Sequence, residues 1–411
     1  MTKHSFRNTL YTQDNLYVLS GLNSGSVDLI YLDPPFNTKR MYSAPVGSKA
    51  AGAGFKDMWT WKDVDEYRLD ILVDQFPALA KYIACVGAVH SKPMMAYLAY
   101  LSQRIVEMHR VLKEAGSLYL HCDPTASHYL KCLLDTVFGK NNFRNEILWC
   151  YTGPGSPGMR QFNRKSDTVF WYSKGKTWTF NKDAVRMPYK DGSPHSGGFM
   201  ENDGARLVPD KYADGKIAEN WWTDIAVVAR SKHERTGYPT QKPLALLKRI
   251  ILASSNEGDI VMDPFCGCAT TCVAAQQLGR KWIGIDIEKQ PVKILIERLS
   301  DDAGLFKDFV ATAQIPKRSD LKEIQPSESV KQRLYKGQHG KCNACGGDFE
   351  CRNLEIDHIV PKSKGGGDYY ENYQLLCGSC NRIKGDRPME YLRLKIETRE
   401  RMMKTKVFFG E

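Results

Sequence analysis

The chain has 411 residues, of which 42% are hydrophobic and 26% are charged, and its formal net charge at pH 7 is +11. This composition is typical of a globular protein of roughly two or three domains, and it argues against a disordered or fibrous chain. The sequence has no apolar run near the roughly 18 residues of a membrane-spanning helix and no apolar signal-peptide segment at its start, so we expect neither a membrane span nor export. The basic surplus favours a polyanionic partner, although a solvated basic surface would look the same.

Apolar strands alternate with helical patterns from Asp14 to about Cys150, which predicts an α/β layer fold. The runs from Val27 to Asp33 and from Gly116 to Asp123 are almost continuously apolar, as expected for strands of a parallel sheet that is covered on both faces. Between them, apolar residues recur at three- and four-residue steps and predict a core-facing helix that ends at Gly116. These residues are Leu98, Leu101, Ile105, Met108 and Leu112. The small residues at 43–54 predict either a mobile lid or a plain flexible loop.

The segment Asp33-Pro34-Pro35-Phe36 follows the first apolar run directly, at a strand end where open α/β sheets bind their ligands. The exocyclic amine of a nucleobase is a poor nucleophile because its lone pair is delocalised into the ring. Asp33 and the carbonyl of Pro34 can each accept one N–H of such an amine, which localises the lone pair toward an incoming methyl group. Two prolines make the loop rigid, and Phe36 offers a flat face for a flipped base. The alternative interpretation is a proline-stiffened turn with a solvated aspartate.

From Tyr151 to about Tyr238 the α/β pattern gives way to Gly, Pro, basic and aromatic residues. Basic residues interleaved with tryptophans suit phosphate contacts and base stacking, whereas the alternative is a loop-rich insertion whose tryptophans pack its own small core. We expect both, with the tryptophans mostly in the core and the basic residues mostly facing DNA. The residues concerned are Arg160, Arg164, Lys165, Lys174, Lys176, Arg186, Arg206, Arg230, Trp171, Trp178, Trp221 and Trp222.

A second ligand site is predicted where α/β character returns, with strands from Asp259 to Asp263 and from Lys281 to Ile287. The segment 263–271 (Asp-Pro-Phe-Cys-Gly-Cys-Ala-Thr-Thr) turns from a strand into a helix, and its small residues let the backbone approach a ligand. One strand later, Asp286 is placed to bind ribose hydroxyls, as in nucleotide-binding α/β folds. A turn, a helix and an acid at the next strand end form a stronger signal than a glycine-rich turn alone, and they favour the catalytic interpretation of Asp33.

Together these motifs resemble the β group of DNA amino-methyltransferases, in which the catalytic motif precedes the cofactor motif along the chain. The resemblance covers about Asp14 to Leu299, and the segments 162–168, 171–174 and 238–243 (Tyr-Pro-Thr-Gln-Lys-Pro) belong to it. It implies a mostly parallel, Rossmann-like α/β sheet with a circularly permuted motif order. It also implies that the basic and aromatic region at 151–237 recognises the target.

The resemblance implies transfer of a methyl group from S-adenosylmethionine to adenine N6 of a flipped base in double-stranded DNA, with cytosine N4 as the alternative. The implied catalytic residues are Asp33, Pro34, Pro35 and Phe36. The implied cofactor-binding residues are Asp14, Gln241, Lys242, Asp263, Phe265, Gly267 and Asp286. The family usually has Gly-Ser-Gly in the cofactor turn, whereas this chain has Gly267-Cys268-Ala269. We expect cofactor binding to survive this change and Cys268 to be a packing residue, because methyl transfer to an amine needs no covalent enzyme intermediate.

Four cysteines near the C-terminal side form two pairs with the spacing of a structural zinc site. They are Cys342, Cys345, Cys377 and Cys380. An all-cysteine zinc site stabilises a small domain that cannot bury much apolar surface by itself. Cys351 lies outside the pattern, and we expect it to have no part in the site.

The residues around these pairs resemble the HNH endonuclease family, from about Gln338 to Arg387, and imply a ββα-metal domain. The matching features are the segment 354–361 (Leu-Glu-Ile-Asp-His-Ile-Val-Pro), three glycines at 365–367, Asn372, and Asn381 directly after the last cysteine. The resemblance implies that His358 activates a water, that Asp357 and Asn381 hold Mg²⁺ or Mn²⁺, and that Asn372 braces the loop that aims His358. The alternative is a zinc module that binds DNA without cutting it.

The resulting organisation has five parts. They are a methyltransferase catalytic part at 1–150, a target-recognition region at 151–237, a cofactor-binding part at 238–315, a linker at 316–335, and an HNH zinc domain with a basic helical tail at 336–411. We expect a restriction-modification or phage-like role in the cytoplasm, with a bacterial or phage origin and association with the nucleoid. Double-stranded DNA is the expected partner, no membrane is involved, and a homodimer is left open.

Overall fold

The computed structural model describes most of the chain, and every structural statement below refers to that part. The described residues are 8–38, 40–45, 47–64, 69, 72, 75–153, 160–188, 199–201, 204–206, 215–228, 234–288, 290–300, 309–364, 366–387, 389, 391–393 and 395–396. Arg230, Gly365, the tail beyond 396 and the side chain of Arg206, all named above, lie outside it.

The secondary structure alternates between strands and helices through most of the chain. The helices are α1 (Asn15–Gly21), α2 (Pro77–Val89), α3 (Lys92–Val111), α4 (Ser127–Phe138), α5 (Leu244–Ser254), α6 (Thr270–Gln277), α7 (Gln290–Ser300), α8 (Glu328–Gly337) and α9 (Gly378–Lys384). The strands are β1 (Asn8–Thr12), β2 (Val27–Leu32), β3 (Arg40–Ser43), β4 (Gly54–Asp57), β5 (Leu112–Cys122), β6 (Phe143–Cys150), β7 (Ser166–Ser173), β8 (Arg186–Met187), β9 (Phe199–Glu201), β10 (Gly204–Arg206), β11 (Lys216–Ile217), β12 (Trp221–Trp222), β13 (Ile260–Asp263), β14 (Lys281–Asp286), β15 (Phe309–Thr312), β16 (Leu354–His358) and β17 (Tyr373–Cys377).

A nine-stranded sheet in the order β12-β6-β7-β5-β2-β13-β14-β1-β15 forms the centre of the molecule. Only β7 runs antiparallel to its neighbours, so the prediction of a mostly parallel sheet is confirmed. The parallel strands β2, β13 and β14 end side by side at one edge of the sheet. This edge therefore brings together the Asp33 motif and the turn that begins at Asp263, although they are far apart in the sequence.

Helices cover both faces of the sheet, which explains why its central strands are apolar throughout. On β2, Ile30 and Leu32 pack with residues of α1 to α4 on one face. Leu29 and Tyr31, which alternate with them, pack with α5 and α6 on the other face.

The helix predicted to end at Gly116 ends earlier, so that part of the prediction is wrong. Helix α3 begins after Ser91, whose side chain accepts a hydrogen bond from Met94, and it ends at Val111. Strand β5 starts at the next residue, and Gly116 lies inside it. A side chain at Gly116 would lie 3.0 Å from the carbonyl oxygen of Asp28 on the neighbouring strand, where the register shifts. This glycine therefore permits a close strand contact instead of stopping a helix.

The segment at 43–54 connects the hairpin strands β3 and β4 and packs against the body of the protein. Ala50 and Ala53 are buried with Cys268 and Ile294. The backbone N–H of Ala50 donates to the carbonyl of Thr236. The described part of this segment is thus a packed connection beside the second ligand motif.

The C-terminal module consists of the antiparallel pair β16–β17, with α8 and α9 packed against it. Its separate core contains Leu334, Leu354, Leu375 and Leu376. The described positions between 389 and 396 are helical, and Met389 and Leu392 are buried in the same core.

The linker at the start of this module is fixed to the turn between α1 and β2. Asn23 and Ser319 exchange two hydrogen bonds, of 2.8 and 2.7 Å. The backbone N–H of Ser24 donates to Asp320, which also pairs with Arg318.

In the part of the chain that the structure describes, no helix is long and apolar enough to cross a membrane.

Candidate functional site

A cleft opens at the sheet edge where β2, β13 and β14 end. All of the residues predicted for catalysis and cofactor binding in the first two motifs line it: Asp14, Asp33, Pro34, Pro35, Phe36, Gln241, Lys242, Asp263, Phe265, Gly267 and Asp286. Two further acids, Asp57 and Glu288, also line it, so that six carboxyl side chains and only two lysines, Lys56 and Lys242, face the cleft. The cleft is therefore rich in negative charge, which suits a ligand that carries a cationic centre.

Asp33 lies beside Lys242 at this edge. The ammonium of Lys242 donates to Oδ2 of Asp33 at 2.6 Å and lies 5.2 Å from the centre of the Phe36 ring. Oδ1 of Asp33 is buried and meets no hydrogen-bond partner among the described residues. A buried acceptor without a partner is costly unless a ligand supplies the donor.

The backbone after Phe36 is held by Asp57, which the sequence did not single out. Asn37 has a φ of 63°, in the left-handed region that asparagine tolerates better than most residues. Its N–H donates to Oδ1 of Asp57 at 2.5 Å, and the N–H of Thr38 donates to Oδ2 at 3.0 Å. Asp57 is almost fully buried, and its carboxylate fixes the backbone of this loop.

The ring of Phe36 is supported by a buried histidine. Phe36 and His121 are nearly parallel, with centres 6.2 Å apart. His121 contacts the Tyr31 hydroxyl through Nδ1 at 2.9 Å and Asp167 through Nε2 at 3.0 Å. Burial opposes ionisation of Asp167, but the hydrogen bond and charge of His121 lower the pKa of this carboxyl. The network of Tyr31, His121 and Asp167 forms a polar support under the stacking face.

Two carboxylates organise the turn at 263–271. Asp263 accepts hydrogen bonds from the Phe265 N–H and the Thr271 hydroxyl, and burial raises its pKa to about 7. Asp286 accepts from the N–H groups of Gly267 and Glu288, and burial raises its pKa to about 6. Burial thus makes both carboxyl groups harder to ionise than an exposed carboxyl group. A cationic ligand beside them would lower both pKa values and favour the charged form.

The cofactor turn keeps a left-handed backbone in spite of its sequence change. Gly267 has a φ of 49°, and a side chain there would lie 3.0 Å from the Tyr238 ring. Ala269 has a φ of 58°, a conformation that costs a non-glycine residue about 1–2 kcal/mol. Cys268 is buried with its sulfur 3.3 Å from the Thr270 hydroxyl, and burial raises the pKa of the thiol. These surroundings suit a packing role.

Asp14 and Gln241 line the cleft, but their polar groups already have protein partners. Asp14 caps α1 and pairs with Arg104 at 3.0 Å. Arg104, which is 2% exposed, also donates to Asn15, whose amide donates to the Pro264 carbonyl. The side-chain amide of Gln241 hydrogen-bonds within the loop at 234–241. Arg104 therefore connects α1 and α3 to the turn at 263–271. The sequence did not predict this role, because Arg104 looks like a single polar position on an apolar helix.

In the region at 151–237 the predicted roles of the tryptophans divide evenly. Trp171 and Trp222 are buried, whereas Trp178 and Trp221 are 38% and 46% exposed. Of the predicted basic residues whose burial the structure describes, Arg160, Arg164 and Lys176 are exposed. Strand β7, which contains Trp171, is part of the main sheet.

The four predicted cysteine ligands meet in the C-terminal module. The sulfur atoms of Cys342, Cys345, Cys377 and Cys380 all lie within 4.8 Å of one another. Burial opposes ionisation of Cys342, but N–H groups of Cys345, Cys377 and Ala344 point at its sulfur and lower the pKa of the thiol. Four thiols at such distances fit a tetrahedral ion with bonds of about 2.3 Å to sulfur. Cys351 is not part of the cluster.

His358 lies at the end of β16, where Nε2 is 2.8 Å from Oδ1 of Asp368. Asp368 also pairs with Lys362 and accepts from the Tyr373 hydroxyl, and Lys362 and His358 lower the pKa of this carboxyl. Asn372 is buried and bonds to both backbone groups of Val360. Asn372 thus braces the loop after His358 through the backbone of Val360.

The predicted divalent-metal ligands have protein partners in this structure. Asp357 accepts from Gln374 at 2.7 Å and pairs with the buried ammonium of Lys384 at 3.0 Å. The amide of Asn381 donates to Glu355 at 2.5 Å. The oxygen atoms of Asp357 and Asn381 are ligands that Mg²⁺ and Mn²⁺ prefer. In the structure, Lys384 supplies the positive charge beside Asp357.

Comparison with known proteins relates both parts of the chain to DNA-acting enzymes. The sequence profile of the DNA methylase family matches residues 27–297, and that of the HNH endonuclease family matches residues 342–387. The DNA adenine methyltransferase YhdJ of Escherichia coli is 30% identical over 325 residues, which cover 77% of this chain and 93% of that protein. The type II methyltransferase M.EcaI of Enterobacter cloacae is 27% identical over 373 residues, which cover 76% and 74%.

Among solved structures, the cytosine-N4-specific PvuII DNA methyltransferase superposes with a TM-score of 0.44 at 16% identity, covering 75% of this chain and 96% of that one. The match to the methylase profile spans well over half of the chain, and the match to YhdJ spans nearly all of that protein. The chain therefore belongs to the DNA methylase family of N6 and N4 amino-methyltransferases, and it carries an HNH domain at 342–387.

Proposed function

We propose that this DNA methyltransferase transfers a methyl group from S-adenosylmethionine to adenine N6 in double-stranded DNA. The observation that carries the proposal is the buried Oδ1 of Asp33, which has no hydrogen-bond partner among the described residues and lies in an acidic cleft that Phe36 also lines. An acceptor oxygen at this place is what an exocyclic amine needs as its first hydrogen-bond partner. The negative charge of the cleft suits the sulfonium of the methyl donor.

When bound, S-adenosylmethionine supplies an activated methyl group on a sulfonium centre. Oδ1 of Asp33 accepts one N–H of the flipped base, the Pro34 carbonyl accepts the other, and Phe36 stacks on the ring. The nitrogen lone pair that Asp33 and Pro34 localise would form the N–C bond, and the electron pair of the broken S–C bond would leave with the sulfur of the donor. The nitrogen loses one proton, which passes to Asp33 and from there to water.

On the cofactor side, we assign ribose recognition to Asp286 and the positioning of the turn to Asp263, Phe265 and Gly267. Asp286 already accepts two backbone N–H groups, and its oxygen atoms have further lone pairs for hydroxyl donors. We assign Asp14, which lines the cleft, to the donor's adenine. Gln241 holds the loop at 234–241 through its side-chain amide.

Adenine is favoured over cytosine by the Asp-Pro-Pro-Phe motif and by the similarity to the DNA adenine methyltransferase YhdJ of Escherichia coli. Cytosine N4 is the second candidate because both amines present the same hydrogen-bonding problem. The test is to incubate the full-length protein with double-stranded DNA and S-adenosylmethionine and to analyse digested nucleosides by mass spectrometry. N6-methyladenine is the expected product. N4-methylcytosine alone would establish the second candidate, and the absence of any methylated base would contradict the proposal.

We further propose that the HNH domain cuts DNA, with His358 as the general base and the cysteine cluster holding a structural zinc. Asp357 and Asn381 would hold a divalent cation, which stabilises charge on the phosphate when bound. Support comes from the presence of His358, Asn372 and Asn381 in one module and from the fixed orientation of the His358 ring. The second candidate is a zinc module that only binds DNA. Either activity suits a restriction-modification or phage-like role in a bacterial cell.

A further inference from the structure

The contact between Lys242 and Asp33 joins two motifs that are 209 positions apart in the chain. The ammonium and Oδ2 are 2.6 Å apart, and the Lys242 and Asp33 side chains are only 9% and 17% exposed. The other oxygen of Asp33 is buried without a partner among the described residues. The two oxygens of this carboxylate therefore differ: a cation holds one of them, and the other has no hydrogen-bond donor among the described residues.

We propose that Lys242 is a positioning residue for methyl transfer, which holds Oδ2 of Asp33 so that Oδ1 accepts the N–H of the target amine. The inference rests on the proposed function of Asp33. A carboxylate at a strand end can rotate about its side-chain torsions, and the terminal torsion of aspartate is broad. Fixing one oxygen with a charged donor aims the other, and a misplacement of about 1 Å at such a site costs roughly 100-fold in rate.

The surroundings of Lys242 suit this role. One residue, Pro243, separates it from α5, and Gln241 separates it from Thr240, whose backbone has a φ of 59°. Its ammonium also lies 5.2 Å from the centre of the Phe36 ring. The same cation thus contacts both the acid and the stacking ring of the catalytic motif. Lys242 therefore serves the site of the acceptor base, whereas the family resemblance implies a role in cofactor binding.

A second lysine–aspartate pair in the same sheet provides a matched control. Lys113 and Asp28 lie 2.8 Å apart at the opposite end of β5 and β2. In that pair the lysine contacts both carboxylate oxygens and is 45% exposed. Because both oxygens of Asp28 have a donor, this pair offers no free acceptor to a ligand. We therefore expect the loss of the Lys113 ammonium to leave methyl transfer unchanged.

The test uses the full-length protein with Lys242→Met, Lys242→Arg and Lys113→Met. We expect Lys242→Met to lower kcat at saturating S-adenosylmethionine by roughly 100-fold. Its affinity for S-adenosylmethionine, measured by calorimetry, should stay within about twofold of the wild type, because the lost contact serves the acceptor. Lys242→Arg should recover part of the activity, and Lys113→Met should behave as the wild type.

A double-mutant cycle gives a readout that a merely structural role would not reproduce. In an Asp33→Asn background, Lys242→Met should cause no further loss, because the two residues act as one unit. If Lys242→Met does not fold, Lys242→Ala with added methylammonium replaces it, and recovery of turnover by the free cation is expected.

Three outcomes overturn the inference: weaker S-adenosylmethionine binding with a normal kcat, multiplicative losses in the double mutant, or no rescue by either Lys242→Arg or methylammonium. A wild-type protein that methylates no DNA would instead contradict the proposed function itself.

Discussion

Nε2 of His358 and Oδ1 of Asp368 lie 2.8 Å apart, ten positions apart in the chain, on either side of the loop that Asn372 braces. The carboxylate is itself held by Lys362 and by the Tyr373 hydroxyl. A carboxylate on one ring nitrogen fixes the tautomer and the orientation of a histidine, which leaves Nδ1 as the nitrogen that can accept a proton.

This pair gives the first prediction. With Mg²⁺ or Mn²⁺, the wild-type protein should nick or cut unmethylated DNA, and His358→Ala should lower that activity by about 100- to 10,000-fold, as loss of a general base does. Asp368→Asn should cause a smaller loss, and both variants should methylate DNA normally. Gel assays of plasmid cleavage measure this. Cleavage that persists in His358→Ala would reject His358 as the base, and a wild type that cuts nothing with any divalent metal would favour the binding-only module.

Asp33→Ala should abolish methyl transfer while S-adenosylmethionine binding largely survives, because Oδ1 of Asp33 serves the acceptor amine. Tritiated-methyl incorporation and calorimetry measure the two properties separately. Lys113→Met, which breaks the half-exposed pair with Asp28 at the other end of the strands, is the control. Incorporation near the wild-type level in Asp33→Ala would remove this residue from the reaction.

The pH dependence of cofactor binding follows from Asp263 and Asp286, whose pKa values burial raises to about 7 and about 6. In the unfolded chain these groups ionise near pH 4, so ionisation in the empty folded protein reduces its stability as the pH rises through about 4 to 7. S-adenosylmethionine is cationic and favours the ionised carboxylates. We therefore expect it to raise the Tm more at about pH 8 than at about pH 5.5.

Thermal unfolding with and without S-adenosylmethionine measures this difference. Asp286→Asn removes one of the two titrating groups, so it should weaken binding and flatten the pH dependence. A Tm increase that is independent of pH in the wild type would contradict the assignment of these carboxylates to the cofactor.

The cysteine cluster should bind about one zinc ion per chain and should be required for the module to fold. Cys342→Ser and Cys380→Ser should lose the metal and become sensitive to proteolysis beyond the linker. Cys351→Ser is the matched control because this residue lies outside the cluster. Zinc content by atomic absorption and limited proteolysis measure the effect. Full zinc content in Cys342→Ser, or equal loss in Cys351→Ser, would contradict the assignment.

The motifs at strand ends could be predicted from the sequence because each of them directly follows an apolar strand along the chain. Asp33, Asp263 and Asp286 each end an apolar strand, and parallel strands bring their carboxyl ends to one edge. The cysteine cluster could equally be predicted because two cysteine pairs have a characteristic spacing.

The supporting residues could not be predicted because their partners are distant in sequence. Arg104 looks like one polar position on an apolar helix, but it reaches Asp14, 90 positions earlier. His121 sits within an apolar strand and meets Asp167, 46 positions later. The helix end predicted at Gly116 is wrong because a glycine can either end a helix or let two strands approach closely. The contact with Asp28 on the neighbouring strand shows that the second case applies.

The permuted order of the sheet has a consequence for synthesis. Strand β1 pairs with β14 and β15, whose residues are translated roughly 270 to 300 positions later. A growing chain therefore carries an unpaired first strand until most of the methylase half has left the ribosome. Contacts of such long sequence separation form slowly and leave apolar edges open to aggregation. The C-terminal HNH module follows directly in translation order, so its own local core can form without waiting for that closure.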